Sequence, residues 1–329
     1  MKTKMKTNPT SPRGPLLRVL FAIAALFAAP ASARAGLLYA SDSGGSTINK
    51  FDSSGTLSVF ATLPVDSHPF GIAFDSGGTL FAAENNTGNI DKITPGGVVS
   101  TFVNLGSHQS LKALAVDSSG NLYVANYGDG TPSSLGSYIN KITPGGVVST
   151  FSSLSDRQGL WGLAFDLSGN LYTSNLNTGQ IFKISADGSS FSTFATLGMT
   201  SATSGLAFDS SGNLYVAHDD NFDHITKITP GGAMSDFGPV TGHSMDGLAF
   251  DSAGNLYAAT YDINHITKYS PDGSTVSDFT PHGAGQPEFL AFGPVPEPGT
   301  ALFGMACAGV AALRRRRSFA LAAKFKAQS

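Results

Sequence analysis

Two series of residues recur along the chain at a nearly constant interval, and their members change chemical type from one recurrence to the next. The first is Asp42, Glu84, Asn126, Asn175, His218 and Thr260; the second is Phe70, Lys112, Trp161, Ser204, Asp246 and Glu288. Carboxylates grouped with amide oxygens are hard donors suited to Ca²⁺ or Mg²⁺. Asp42, Glu84, Asp246, Glu288, Asn126 and Asn175 supply such a set. His68 with Glu84, or His243 beside Asp246, could serve as a base next to a metal ion. Trp161 offers a face on which a sugar ring could stack, and His218 is a second candidate ligand contact. The competing reading is that these are solvated loop residues or caps on strand ends.

Other chemistries lack their signatures. The glycines sit in hairpin-turn contexts, and no phosphate-cradling loop, nucleophile elbow or zinc-binding helix is present. The stretch Asp219-Asp220-Asn221-Phe222-Asp223 is rich in oxygen donors but lacks the spacing of an EF-hand loop.

The elements that carry both series are legible as an internal repeat. The segment Gly-Leu-Ala-Phe-Asp-Ser-Ser-Gly-Asn-Leu-Tyr-Val-Ala recurs with small changes from Gly71, Ala113, Gly162, Gly205 and Gly247, at intervals of 42, 49, 43 and 42 residues. Each unit reads as four strands. Strand A is Gly-Leu-Ala-Phe-Asp, an unbroken apolar run buried on both faces. A tight Asp-x-x-Gly-Asn turn follows. Strand B is Leu-Tyr-Val-Ala, strand C is Ile-x-Lys-Ile, and strand D carries a Ser-Thr-Phe pattern with Phe60, Phe102, Phe151, Phe194, Phe237 and Phe279 at matching places. Four strands per forty-odd residues is the signature of a propeller blade.

The ends set the number of blades. Residues 37–63 begin with strand B and lack strand A, whereas Phe289-Leu290-Ala291-Phe292 is a strand A with nothing after it. Five complete units and this composite give an all-β, six-bladed propeller of four-stranded antiparallel blades. The N-terminal strands B–D would pair with the C-terminal strand A, which leaves no exposed edge. In such a blade the start of strand A and the end of strand B share one mouth of the channel, so both variable series belong to one face.

These units resemble NHL repeats and the related lactonase-like and streptogramin-lyase-like propellers, over nearly all of residues 36–293. The resemblance implies a site at the channel mouth. Lactonase-like members hold a divalent ion with a Glu/Asn/Asn/Asp set, and lyase-like members pair histidines before a strand A with glutamates after a strand B. His68 and Glu84 match one such pair; no second pair is visible.

Lys50, Lys92, Lys141, Lys183, Lys227 and Lys268 share one position in strand C and read as structural, paired with acidic neighbours. Over positions 36–299 the chain carries 8 basic and 23 acidic residues. An acidic body of this kind excludes nucleic acid as the expected partner and favours cations or basic surfaces.

The termini read as addresses. Residues 1–35 hold a basic start, the apolar run Val19 to Ala29 and a small-residue cleavage site, as a secretory signal peptide does. Residues 294–329 hold Pro296-Glu297-Pro298, a short apolar segment and Arg314, Arg315, Arg316 and Arg317. This tail resembles the PEP-CTERM sorting signal, although its apolar run is short and twelve residues follow the arginines. The resemblance implies export by the general secretory route, transient membrane insertion of the tail and recognition by an exosortase-type protease. It also implies an outer-surface, extracellular-matrix or secreted destination in a Gram-negative bacterium. The expected function is a binding or matrix-associated protein that meets a polysaccharide, a surface protein or a divalent cation. The alternative is a metal-dependent lactonase-like hydrolase or a streptogramin-lyase-like enzyme.

Overall fold

A computed structural model describes residues 36–294 except 107–108, 129–136, 155–158, 199–201, 220–223, 240–241 and 284. The expected signal peptide, the Pro296-Glu297-Pro298 motif and the arginine block lie outside the described residues. Among the described residues no helix is long and apolar enough to cross a membrane.

Six four-stranded antiparallel sheets form the blades of a propeller. Their innermost strands A are Pro287–Phe292, Pro69–Phe74, Leu111–Val116, Leu160–Phe165, Thr203–Phe208 and Met245–Phe250, in blades 1 to 6. The matching strands B are Leu38–Asp42, Leu80–Glu84, Leu122–Asn126, Leu171–Asn175, Leu214–His218 and Leu256–Thr260. Each strand A packs against the strands A of the blades before and after it, and the contact of blade 6 with blade 1 closes the circle. Blade 1 is the composite expected from the two partial units: Leu38 pairs with Phe292 and Asp42 with Pro287.

The turn between A and B is built by its own residues. In blade 3, Asp117 Oδ1 accepts the backbone N–H groups of Ser119 and Asn121 at 2.9 and 2.8 Å. Asn121 and Tyr123 donate to its other oxygen. Gly120, at φ 79°, supplies the left-handed residue that closes the turn. The tyrosine at the second position of strand B then acts as a wedge between blades. Tyr123 meets Phe151 of its own blade and Phe165 of the next edge-on, with ring centres 4.9 and 5.1 Å apart. Tyr39, Tyr172, Tyr215 and Tyr257 repeat this arrangement. Such pairs add about 0.5–1.5 kcal/mol each beyond their buried area.

The strand C lysines have a different partner from the one expected. Lys141, Lys183, Lys227 and Lys268 lie 5.3 to 5.5 Å over the strand B tyrosines, while Lys50 and Lys92 lie over Phe60 and Phe102. Lys183 also reaches Asp166 at 3.8 Å. The shared position is explained by the aromatic column beneath it more than by carboxylates.

Candidate functional site

In every blade the first residue of strand A pairs with the last residue of strand B. The pairs are Pro287–Asp42, Pro69–Glu84, Leu111–Asn126, Leu160–Asn175, Thr203–His218 and Met245–Thr260. Immediately afterwards the register slips by one residue on strand A. Phe70, Lys112, Trp161, Ser204, Asp246 and Glu288 therefore sit in a β-bulge, and a bulge re-aims the side chain it contains. The two series share one face, as expected. The second series was expected in loops preceding strand A; it lies inside the strands, which begin two residues earlier than the Gly-Leu-Ala-Phe pattern suggests.

The residue after the bulge explains the repeated glycines. A Cβ on Gly162 would lie 2.5 Å from the carbonyl oxygen of Ser204, and one on Gly247 would lie 2.6 Å from that of Glu288. Neighbouring strands A thus approach backbone to backbone, and the six bulge side chains converge on the axis of the ring.

Lys112 has the most unusual surroundings of the six. It is 6% exposed, and its ammonium lies 3.8 Å from the ring centre of Phe70, 4.1 Å from that of Trp161 and 5.9 Å from that of Tyr127. Phe70 and Tyr127 each meet Trp161 edge-on, at 6.0 and 5.9 Å. Among the described residues Nζ has no hydrogen-bond acceptor; its partners are π faces. Burial pushes the amine down to about 8, against the opposing pull of Glu288 and Asp246.

Blade 3 faces blade 6 across a ring of six, so the carboxyls of Asp246 and its neighbour Glu288 lie on the far side from Lys112. Both are buried. Ser43 donates to Glu288 Oε1 at 2.6 Å. Burial, the charge of Glu288 and a hydrogen bond to it push Asp246 well above the usual carboxylate range. Burial also raises Glu288, while the hydrogen bonds from Ser43 and Asp246 hold it down. Two like charges in one dry site oppose each other's ionisation, and both carboxyls stand above their ordinary range. Ser204, between Trp161 and Asp246, is tied to the backbone carbonyl of Met245.

The first series behaves differently. Its members are almost fully buried and turn back into their own blades. Asp42 accepts from Asn49 Nδ2 at 3.1 Å and from the backbone N–H groups of Gly45 and Gln286. Glu84 accepts from Asn89 Nδ2 at 2.9 Å and from Thr87, and its charge adds to burial in raising Asp91 to about 6. Asn126 is bound to Gln109 and caps Gly128. Asn175 accepts from the backbone N–H groups of Asn177 and Thr178, both at 3.1 Å. His218 pairs with Thr226 at 2.9 Å and stacks on His224, and Thr260 pairs with Thr267.

The six-residue metal set is therefore divided. Asp246 and Glu288 come together, Asp42 and Glu84 are spent on strand C of their own blades, and the two asparagines cap local turns. Among the described residues no group of three or more His, Cys, Asp or Glu side chains is placed to hold a metal ion. The donor set does not fit the divalent site that the resemblance implied. The weak catalytic set is divided too. His68 stands at φ 46° before strand A of blade 2, and the side chain of Glu84 is committed elsewhere. His243 is paired with Asp262 at 2.9 Å in blade 6. Trp161, partly exposed, carries the Lys112 ammonium over its ring and meets Phe70 and Tyr127 edge-on.

Asn49, Asp91, Thr226 and Thr267, the buried strand C partners of the first series, escaped the sequence reading. So did the role of Lys112. One signal for it was available: the six strand C lysines share a column, and Lys112 stands outside that column in a series otherwise held by aromatic, hydroxyl and acidic residues.

No protein-family model and no curated protein matches the chain by sequence. By structure it is similar to six-bladed propellers of the streptogramin-lyase and gluconolactonase group. A virginiamycin B lyase from Staphylococcus aureus superposes with a TM-score of 0.56 at 18% identity, covering 68% of this chain and 74% of that one. A gluconolactonase from Xanthomonas campestris gives 0.57 at 19% identity, over 68% and 79%. A chain of a nidogen–laminin complex gives 0.65 at 18% identity, over 79% and 99%. At these identities the likeness is one of fold.

Proposed function

We propose that the chain is an exported propeller that binds a small molecule on its axis, between the caged amine of Lys112 and the Asp246–Glu288 pair. One observation carries this reading. A buried ammonium with no hydrogen-bond acceptor among the described residues faces a pair of buried carboxyls, both raised above their ordinary range, and bulges at the same position of opposite blades hold them. Groups perturbed in opposite senses and gathered at one point of a rigid scaffold mark sites rather than packing. Signal peptide and sorting tail supply the route outward in this reading, and the ligand is one met at the surface or in the matrix.

Trp161 is the single tryptophan of the chain, so its emission reports on the cage directly. We expect a member of a panel of monosaccharides, lactones and small hydroxyaldehydes to change that emission saturably. Lys112→Met is expected to weaken the response by at least about tenfold, roughly 1.4 kcal/mol. A panel without response, or one indifferent to Lys112→Met, would remove the reading.

A second reading, turnover in the same channel of the general lactonase or lyase kind, is favoured by the pairing of a proton-bearing acid with an amine pushed toward neutrality. It requires that Asp246→Asn abolish turnover of a lactone panel while leaving Trp161 emission responsive to ligand.

A further inference from the structure

We propose that Lys112 is a nucleophilic amine that condenses with a small uncharged aldehyde in the channel to form an imine. The inference rests on the axial binding site proposed above and names its ligand class.

Three features of the site support it. The amine lies among aromatic faces, and among the described residues no acceptor holds its protons. This is the environment in which an amine is kept reactive at moderate pH, and the fall of Lys112 to about 8 agrees with it. Secondly, a carboxyl suited to donate a proton stands opposite: burial and the neighbouring Glu288 push Asp246 well above the usual carboxylate range, and Ser43 fixes Glu288 beside it. Thirdly, the groups that face Lys112 are Phe70 and Trp161 of the two neighbouring blades, Tyr127 of its own, and Asp246 and Glu288 from across the ring, and the charge of Asp219 acts on the carboxyl pair. The far wall is thus anionic, and a ligand carrying its own carboxylate would meet repulsion there. An uncharged carbonyl compound would not.

The step balances without a further reagent. The neutral amine attacks the carbonyl carbon, a C–N bond forms, and one amine proton passes to the carbonyl oxygen to give the carbinolamine. Asp246 then protonates that hydroxyl, the C–O bond breaks, and water leaves. The product is a protonated imine on Lys112 opposite an ionised Asp246. The positive charge stays where the aromatic cage can stabilise it.

The test uses the full chain, glycolaldehyde as probe and borohydride to reduce any imine formed, with peptide mapping by mass spectrometry. At pH 8 we expect Lys112 to be labelled on the order of tenfold faster than the half-buried lysines of strand C. The rate should rise with pH through about 8, and selectivity should vanish in guanidinium. Glyoxylate, the anionic counterpart, should label Lys112 more slowly than glycolaldehyde. Labelling spread evenly over all lysines, or faster labelling by glyoxylate, would overturn the inference. Trp161 emission separates the two proposals. A saturable response to glycolaldehyde without trapping at Lys112 would sink imine formation and leave the binding site standing. Trapping with selectivity retained in Lys112→Arg would show that another lysine reacts.

Discussion

Two rings of residues share one mouth of this propeller, and they differ by a single step of register. The residues that end strand B stay in register with their partners, and their side chains turn into the blade, where Asp42, Glu84, His218 and Thr260 meet strand C and the two asparagines cap local turns. The residues one place beyond those partners lie in a bulge, and theirs turn to the axis. The same scaffold therefore builds four side-chain pairs with strand C, two turn caps and one axial site from adjacent positions. A polar residue that recurs at a variable position is consequently not enough to mark a site. What separates the rings is whether the blade itself supplies the hydrogen-bond partner: Asp42 has Asn49 and two backbone amides, whereas Lys112 has only π faces among the described residues.

The largest effect should come from closing the gap that brings the axial ring together. Gly247→Ala places a Cβ 2.6 Å from both the Glu288 carbonyl oxygen and the Phe289 Cα, and 3.0 Å from the Leu290 amide nitrogen. These are backbone atoms and cannot step aside as a side chain would. Overpacking of this kind costs about 3 kcal/mol, read as a fall in the urea midpoint. It should also separate Asp246 from Glu288 and so abolish the ligand response of Trp161. An alanine accepted there without loss of stability would mean that the strands A are not packed backbone to backbone.

The contrast between the rings also marks what the sequence could reveal. Strands, blade number and closure were legible because they rest on recurring patterns: the Asp-x-x-Gly turn in five units, the apolar strand A in six, and a lone strand A at one end answering its absence at the other. The bulge was not legible. It inserts one residue into a strand without changing the repeat length, so reading strand A from Gly71 placed Phe70 and its equivalents in a loop. The strand C partners were hidden for a related reason. Asn49, Asp91, Thr226 and Thr267 look like ordinary polar positions of an exposed strand until the pairing of Ala82 with Asp91, or of Ala40 with Asn49, is known. The metal set was beyond reach at that point, since the sequence could show carboxylates at one mouth but not which of them had partners.

A middle-sized effect should come from the closed ring, where Glu84 and Asp91 form a second buried carboxyl pair. Burial and the charge of Glu84 raise Asp91 to about 6 from its ordinary 3.8. The folded state then holds the proton more tightly than the unfolded chain. Stability from this group is fully present below about pH 4 and lost as the pH rises through about 6. Asp91→Asn removes the titration while keeping the shape. We expect little change at pH 4 and a gain of about 1–2 kcal/mol at pH 8, after allowance for solvent screening of a shift of roughly two units. Urea titrations at the two pH values would show it. An equal effect at both would mean that no proton is shared in blade 2, and the two rings would differ more than proposed here.

The smallest effect should fall on the lysines that set the pattern from which Lys112 departs. Lys227 lies 5.4 Å over Tyr215 on the outer part of blade 5, and Lys183, Lys141 and Lys268 lie alike over their tyrosines. A cation over an aromatic ring at an exposed position contributes about 0.5–1 kcal/mol. Lys227→Met keeps the aliphatic packing over the ring and should cost no more than that, with the ligand response of Trp161 unchanged. Lys112→Met is the matched change at the axis, and it should do the opposite. Removing a buried cation that lacks an acceptor lifts a desolvation penalty, so the protein should gain stability at pH 7 while it loses its ligand. Because the amine of Lys112 is pushed below its ordinary value, that gain should shrink as the pH rises from about 8 toward 10.5. Two lysines replaced by the same residue would then differ in the sign of the stability change, in its pH dependence and in their effect on binding, which is the difference expected between a residue that serves the fold and one that the fold supports at a cost.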